Sequence, residues 1–151
     1  MNKKQKSLTN KGFSLVELII VIAIMAVLVG VLAPQFLKYV EQSRRSTDIQ
    51  SASSLQTAFL TAIADSEIKG TAGTAATPVI VTDASVTKPS SVSAYPKVTA
   101  TLSGIDTTGF YVYYDATSGV CNVCVKYTSG GTTKYYNLTD SKDATDYKAL
   151  N

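Results

Sequence analysis

The rhythm of apolar and polar positions changes twice along this chain. Residues 18–37 carry no charged side chain, and Gln35 is the one clearly polar residue among them. As a helix, twenty residues at about 1.5 Å each span roughly 30 Å, the thickness of a bilayer's hydrocarbon core. A stretch that is apolar all round suits lipid or the interior of a helical bundle. From residue 38 the pattern becomes amphipathic. Ile49, Ala52, Leu55, Phe59, Ala62 and Ile63 recur at spacings of three and four, which places them on one helix face. Glu41, Arg44, Arg45, Asp48 and Gln56 fall on the other faces. A single helix is therefore expected from about Ser14 to about Ser66. Pro34 lies inside it. Proline removes the hydrogen bond to the Gly30 carbonyl and crowds the preceding turn, so a helix break, as a kink or local unwinding, is expected between Gly30 and Pro34.

After Gly70 the period falls to two. Lys69-Gly70-Thr71-Ala72-Gly73-Thr74 is small, polar and glycine-bearing and leads to Pro78, so residues 67–96 read as a linker and surface loop with a short edge strand near residues 79–82. Val98, Ala100 and Leu102 then alternate with Lys97, Thr99 and Thr101. Phe110, Val112 and Tyr114 alternate with Tyr111 and Tyr113. Cys121, Val123, Val125 and Tyr127 alternate with Asn122, Cys124 and Lys126, and a last strand covers about residues 133–138. Ser103-Gly104, the residues before Gly119 and Ser129-Gly130-Gly131 mark turns. Such short connections favour an antiparallel meander. The tail after Thr139 is polar and is expected to be irregular. The fold class is α+β, with a long N-terminal helix packed against a C-terminal antiparallel β-sheet. The organisation reads as a leader over 1–12, an apolar helix over 13–37, its amphipathic half over 38–66, the linker over 67–96 and a β-sheet head over 97–151. A soluble fragment should begin near Gln42.

The formal charge of +3 misleads. Lys3, Lys4, Lys6 and Lys11 lie in the leader. Without these four of the fourteen basic residues, ten face eleven acidic ones, a net of −1. General attraction for nucleic acid is not supported. The leader lysines fit an N-terminus held in the cytoplasm. The chain has no histidine, so histidine triads and imidazole metal sites are excluded. No glycine-rich phosphate loop is present. No catalytic residue, metal or cofactor is expected, and the chain does not read as an enzyme.

Cys121-Asn122-Val123-Cys124 has the spacing of a redox pair. Within a strand, however, residues three apart face opposite ways with Cα atoms roughly 10 Å apart, beyond disulfide reach. Two free thiols are expected, with Cys121 buried and Cys124 outward and open to reagents. Lys38, Arg44 and Arg45 read as a basic patch for lipid headgroups or pairing between subunits. The tyrosines are read chiefly as sheet residues. Asn137-Leu138-Thr139 matches a glycosylation sequon, a weak signal.

One carboxylate, Glu17, stands just inside the apolar run. A charge on a membrane helix costs about 2.5–3.5 kcal/mol on insertion scales, so it needs a partner or a purpose. A cleaved secretory signal or a plain anchor gives no reason for Gly12-Phe13-Ser14-Leu15-Val16-Glu17-Leu18. That string, after a short basic leader and before a hydrophobic helix, closely resembles the type IV prepilin signature over about residues 11–34. The resemblance implies the pilin fold. It implies that a membrane-embedded prepilin peptidase cuts between Gly12 and Phe13 and methylates the Phe13 amine. It also implies that Glu17 meets the Phe13 amine of a neighbouring subunit during assembly. The implied function is structural subunit of a type IV pilus, a major or abundant pilin. The alternatives are a pseudopilin of a type II secretion or competence DNA-uptake system, and a minor tip adhesin. The implied partners are further copies of the chain, the peptidase, the inner-membrane assembly platform and, before assembly, membrane lipid. The implied location is the cytoplasmic membrane as a single-pass protein, then the extracellular pilus.

Overall fold

The computed structural model describes residues 12–150. Expectations for the leader lysines and the rest of residues 1–11 lie outside the described residues. The elements are α1 (Leu15–Ala64), β1 (Thr71–Ala72), β2 (Val79–Ile80), β3 (Tyr111–Asp115), β4 (Val120–Ser129), β5 (Thr132–Asn137) and α2 (Ser141–Lys148). The chain divides into two compact units, Met1–Lys38 and Tyr39–Asn151.

In the first unit, the α1 side chains are exposed all round. The most apolar 18-residue window of α1 has a mean hydropathy of 3.1 and is 0% buried. The helix is long and apolar enough to cross a membrane. Its span runs unbroken past Gly30 and through Pro34, so the unwinding expected there is not seen in the single chain. Proline deletes one donor, and helical turns on both sides continue because each further residue adds its own bond.

In the second unit, the rest of α1 lays Arg45, Asp48, Ala52, Leu55, Phe59 and Ala62 into the core. The apolar stripe is thus confirmed, and it extends about one turn beyond Ile49 toward the N-terminus through the polar residues Asp48 and Arg45. Opposite it lies an antiparallel sheet. β4 pairs with β3 on one side and β5 on the other, while β1 and β2 both pair with the far edge of β3. Phe110, Val112, Tyr114, Cys121, Val123, Val125, Tyr136 and Leu138 are buried in the same core. The Phe59 ring stacks between Tyr114 at 5.7 Å and Tyr95 at 6.5 Å.

Three expectations are corrected. The alternating stretch 97–102 is not a strand. Its burial alternates as expected, with Val98 and Ala100 inward, but its amides go to two carboxylates of α1 instead of a neighbouring strand. The linker is not merely a surface loop: Ile68, Ala72, Val81 and Val86 are core residues. The tail is not irregular. Asp140 caps α2 by accepting from the Lys142 and Asp143 amides, and Tyr147 is fully buried. An aspartate cap before a polar run with one buried aromatic is a short helix signal that hydrophobic periodicity alone misses.

Gly104 is required where it stands. Its φ is +94°, and a Cβ would lie 2.4 Å from the Thr128 carbonyl oxygen. This close approach lets residues 104–106 pair with β4 beyond the end of β3, through Thr128 N–H to the Gly104 oxygen at 2.8 Å and Asp106 N–H to the Lys126 oxygen at 2.9 Å.

Candidate functional site

The expected processing and assembly residues gather at the start of α1. Ser14 is the last residue before the helix. Its carbonyl accepts from the Leu18 amide at 3.2 Å. Its hydroxyl accepts from the Val16 amide at 3.4 Å. Glu17 reaches back and accepts from the Ser14 amide at 2.9 Å. The Glu17 half is that of a capping box, whose Ser-x-x-Glu spacing is present in the sequence, while the Ser14 hydroxyl serves the second helical amide instead of the third. Phe13 is 91% exposed. A Cβ added to Gly12 would meet nothing within 4 Å, so the chain's own packing does not require glycine there. The same is true of Gly30.

A second polar constellation, in the head, was not foreseen. Asp48 is fully buried. Its carboxylate accepts from the Thr99 amide at 2.6 Å, the Thr99 hydroxyl at 2.7 Å, the Ala100 amide at 3.1 Å and the Tyr147 hydroxyl at 2.8 Å. Two turns earlier, Glu41 accepts from the Thr101 and Leu102 amides and the Thr101 hydroxyl. Burial alone would raise the Glu41 carboxyl, but bonds from Thr101, Leu102 and Arg45 outweigh it and hold the group below its ordinary range. Tyr147 moves up, first through burial and then through the facing Asp48 carboxylate.

Arg45 lies between the two carboxylates and is 3% exposed. It donates to Glu41 and to the carbonyls of Tyr147, Lys148 and Leu150. A guanidinium there satisfies carbonyls left open at the α2 C-terminus and complements its dipole. The basic-patch reading is corrected accordingly: Arg45 is an internal fastener, whereas Arg44 is exposed and bonded to the Thr101 hydroxyl. The missed signal was periodicity. Residues 45 and 48 continue the spacing of 52, 55, 59 and 62 onto the same face.

The two cysteines are unbonded and both are buried. Burial pushes each thiol up to about 12. The expectation of an open Cys124 is overturned, since it is 2% exposed. It does lie on the strand face opposite Cys121, but β4 is an inner strand there, with Tyr111 of β3 and Asn137 of β5 directly across from Cys124. The Asn137 amide of the sequon donates to Asn122 at 3.0 Å, and the Thr139 hydroxyl binds back to Asn137. Among the described residues no group of three or more His, Cys, Asp or Glu is placed to hold a metal ion.

The arrangement is a helix with an apolar exposed first half and a carboxylate at its start, and a head built on its second half. Residues 8–33 match the family model described as the prokaryotic N-terminal methylation motif. The chain is also similar to the type IV major fimbrial protein FimA of Dichelobacter nodosus, at 35% identity over 60 residues, which is 40% of this chain. The chain spans 38% of the length of that curated relative. No solved structure matches it. The N-terminal segment is thus similar to that of type IV fimbrial proteins, and the layout of one long helix followed by an antiparallel sheet is consistent with the pilin fold.

Proposed function

We propose that this chain is the structural subunit, major or abundant, of a type IV pilus. The observation that carries the reading is the start of α1: a helix apolar on all sides, whose one early charge is Glu17, following a glycine that the fold does not itself need. A residue unexplained by its own chain is well explained by an enzyme that reads it, here a prepilin peptidase cutting between Gly12 and Phe13 and methylating the new amine. The subunit waits in the cytoplasmic membrane with its N-terminus inside. The assembly platform then feeds it into a homopolymer on the cell surface. In the polymer, Glu17 pairs with a neighbour's Phe13 amine. Each ion is costly in hydrocarbon, and pairing offsets both costs while admitting one axial stagger.

The test is electron microscopy of cells lacking the protein, together with mass spectrometry of sheared fibres. The reading expects loss of fibres, and in the wild type a fibre subunit beginning at methylated Phe13. Intact fibres in the deletion strain, or fibre subunits still beginning at Met1, would overturn it. Loss of secretion or DNA uptake with visible fibres unchanged would point instead to a pseudopilin.

A further inference from the structure

The ions buried along α1 tie together two segments that come much later in the chain. Asp48 accepts from the Thr99 and Ala100 amides and from the Tyr147 hydroxyl. Glu41 accepts from the Thr101 and Leu102 amides. Arg45, between them, donates to Glu41 and to the carbonyls of Tyr147, Lys148 and Leu150. Four consecutive amides outside any strand are therefore held by two carboxylates, and α2 is fastened to the same turns of α1. α2 has 8 residues and one buried side chain, Tyr147. A helix that short does not persist alone in water, so α2 holds its form only while docked. We propose that α2 is a strap: its docking closes over Arg45 and Asp48 and thereby fixes residues 99–102 on α1, while the sheet stands without it. The proposal concerns the head alone and does not rest on the pilus reading.

What each ion keeps when the strap opens sets this order. Arg45 loses three carbonyls and is left with Glu41. Asp48 loses the Tyr147 hydroxyl. Both ions, buried while α2 is docked, then meet water. Water competes with the Thr99 and Ala100 amides for the Asp48 carboxylate, and the higher local dielectric weakens each bond in the network. The β3–β4 ladder depends on none of this. Its bonds run from backbone to backbone, and its core face meets α1 further along, where Phe59 stacks on Tyr114. At β5 the sheet gives up the ring contact of Tyr136 with Tyr147 at 6.1 Å and the bond from the Asn137 amide to Asp143.

The test uses the full chain in detergent micelles, with backbone amide exchange read residue by residue. In Tyr147→Ala the helical signals of residues 141–148 should vanish. Protection at the amides of residues 99–102 should fall about tenfold further than protection across the β3–β4 ladder, the mark of a local opening. Tyr147→Phe keeps the ring and removes only the hydroxyl, and should fall between the wild type and Tyr147→Ala. Trypsin should cut the Tyr147→Ala chain after the exposed Lys97 faster than it cuts the wild type, with Lys126 of β4 still resistant. A head that fails to fold in Tyr147→Ala, or protection lost equally at residues 99–102 and in the ladder, would make α2 an integral part of the core and overturn the strap. Full protection at residues 99–102 with α2 undocked would overturn the link through Asp48 and Arg45. A helical α2 surviving in Tyr147→Ala would show that other anchors hold it, and would overturn the proposal as well.

Discussion

Replacing Asp48 by alanine removes the acceptor of four donors at once. Two of these, the Thr99 amide and hydroxyl, belong to an exposed residue that water can reach after the change. The other two cannot be rescued in that way. Ala100 and Tyr147 are each 0% exposed, and their amide and hydroxyl would be left buried without partners. A buried donor without a partner costs about 1–3 kcal/mol. Two of them, with the void left by the carboxylate, give about 4 kcal/mol, a large share of the roughly 5–15 kcal/mol that holds a typical domain together. Asp48→Asn keeps the shape and one acceptor oxygen, but turns an amide group toward one of the donors. It should cost about half as much. The measurement is urea unfolding of a soluble fragment covering residues 39–151, with the slope compared between variants to confirm that the same surface is exposed. A loss below about 1 kcal/mol for Asp48→Ala, at unchanged slope, would refute the argument that residues 99–102 are held by helix carboxylates. The fragment must begin before Glu41. A start at Gln42, as the periodicity alone suggests, deletes the acceptor of the Thr101 and Leu102 amides.

The acid limb of stability should depend on Glu41. Its folded carboxyl lies below the ordinary 4.5, so the unfolded chain takes up the proton first, and the contribution present above that value is lost as pH falls through the lowered one. Glu41→Gln should flatten the fall in unfolding free energy below pH 4.5, and an unchanged slope would contradict the assignment. Phe59→Ala, at a fully buried ring stacked against two tyrosines, should cost about 3–5 kcal/mol in the same unfolding assay. Both thiols should resist alkylation at pH 8 in the folded head, because each titrates only near about 12 and both are covered. Fast labelling of Cys124 alone would restore the outward reading. Glu17→Val should insert and be processed normally yet fail to build fibres when it is the only subunit, and a wild-type fibre count by electron microscopy would remove Glu17 from assembly.

What was legible in the sequence depended on whether a pattern had one physical reading. The stripe from Ile49 to Ile63 can only be a helix face, and the structure places its central residues in the core. The alternations around Val112 and Val123 are paired strands as expected. Alternation at residues 97–102 has two readings, because an extended chain with one buried side looks the same whether its amides meet a strand or a carboxylate. Periodicity reports which side is buried, not where the hydrogen bonds go. Arg45 and Asp48 escaped for a related reason: a charged residue on a helix defaults to water, and only the spacing that carries the stripe back to residue 45 argues otherwise. Cys124 was placed on the face away from Cys121, yet its burial depends on what packs beside it on an inner strand, which register sets and sequence spacing does not.

The carboxylates also say where α1 can yield. Glu41 and Asp48 bind the amides of residues 99–102, and Arg45 binds the last carbonyls of α2, so unwinding α1 near these positions would strand donors and acceptors in two other parts of the head. That makes residues 41–62 a stretch that opens only with the head as a whole. Residues 15–38 have exposed side chains, with Glu17 bound to the helix's own cap. Within that stretch, Pro34 has already given up one bond and Gly30 lacks a side chain to hold its turn. Any unwinding that assembly requires is therefore least costly at residues 30–34, where it gives up local helix bonds and leaves the head fastened.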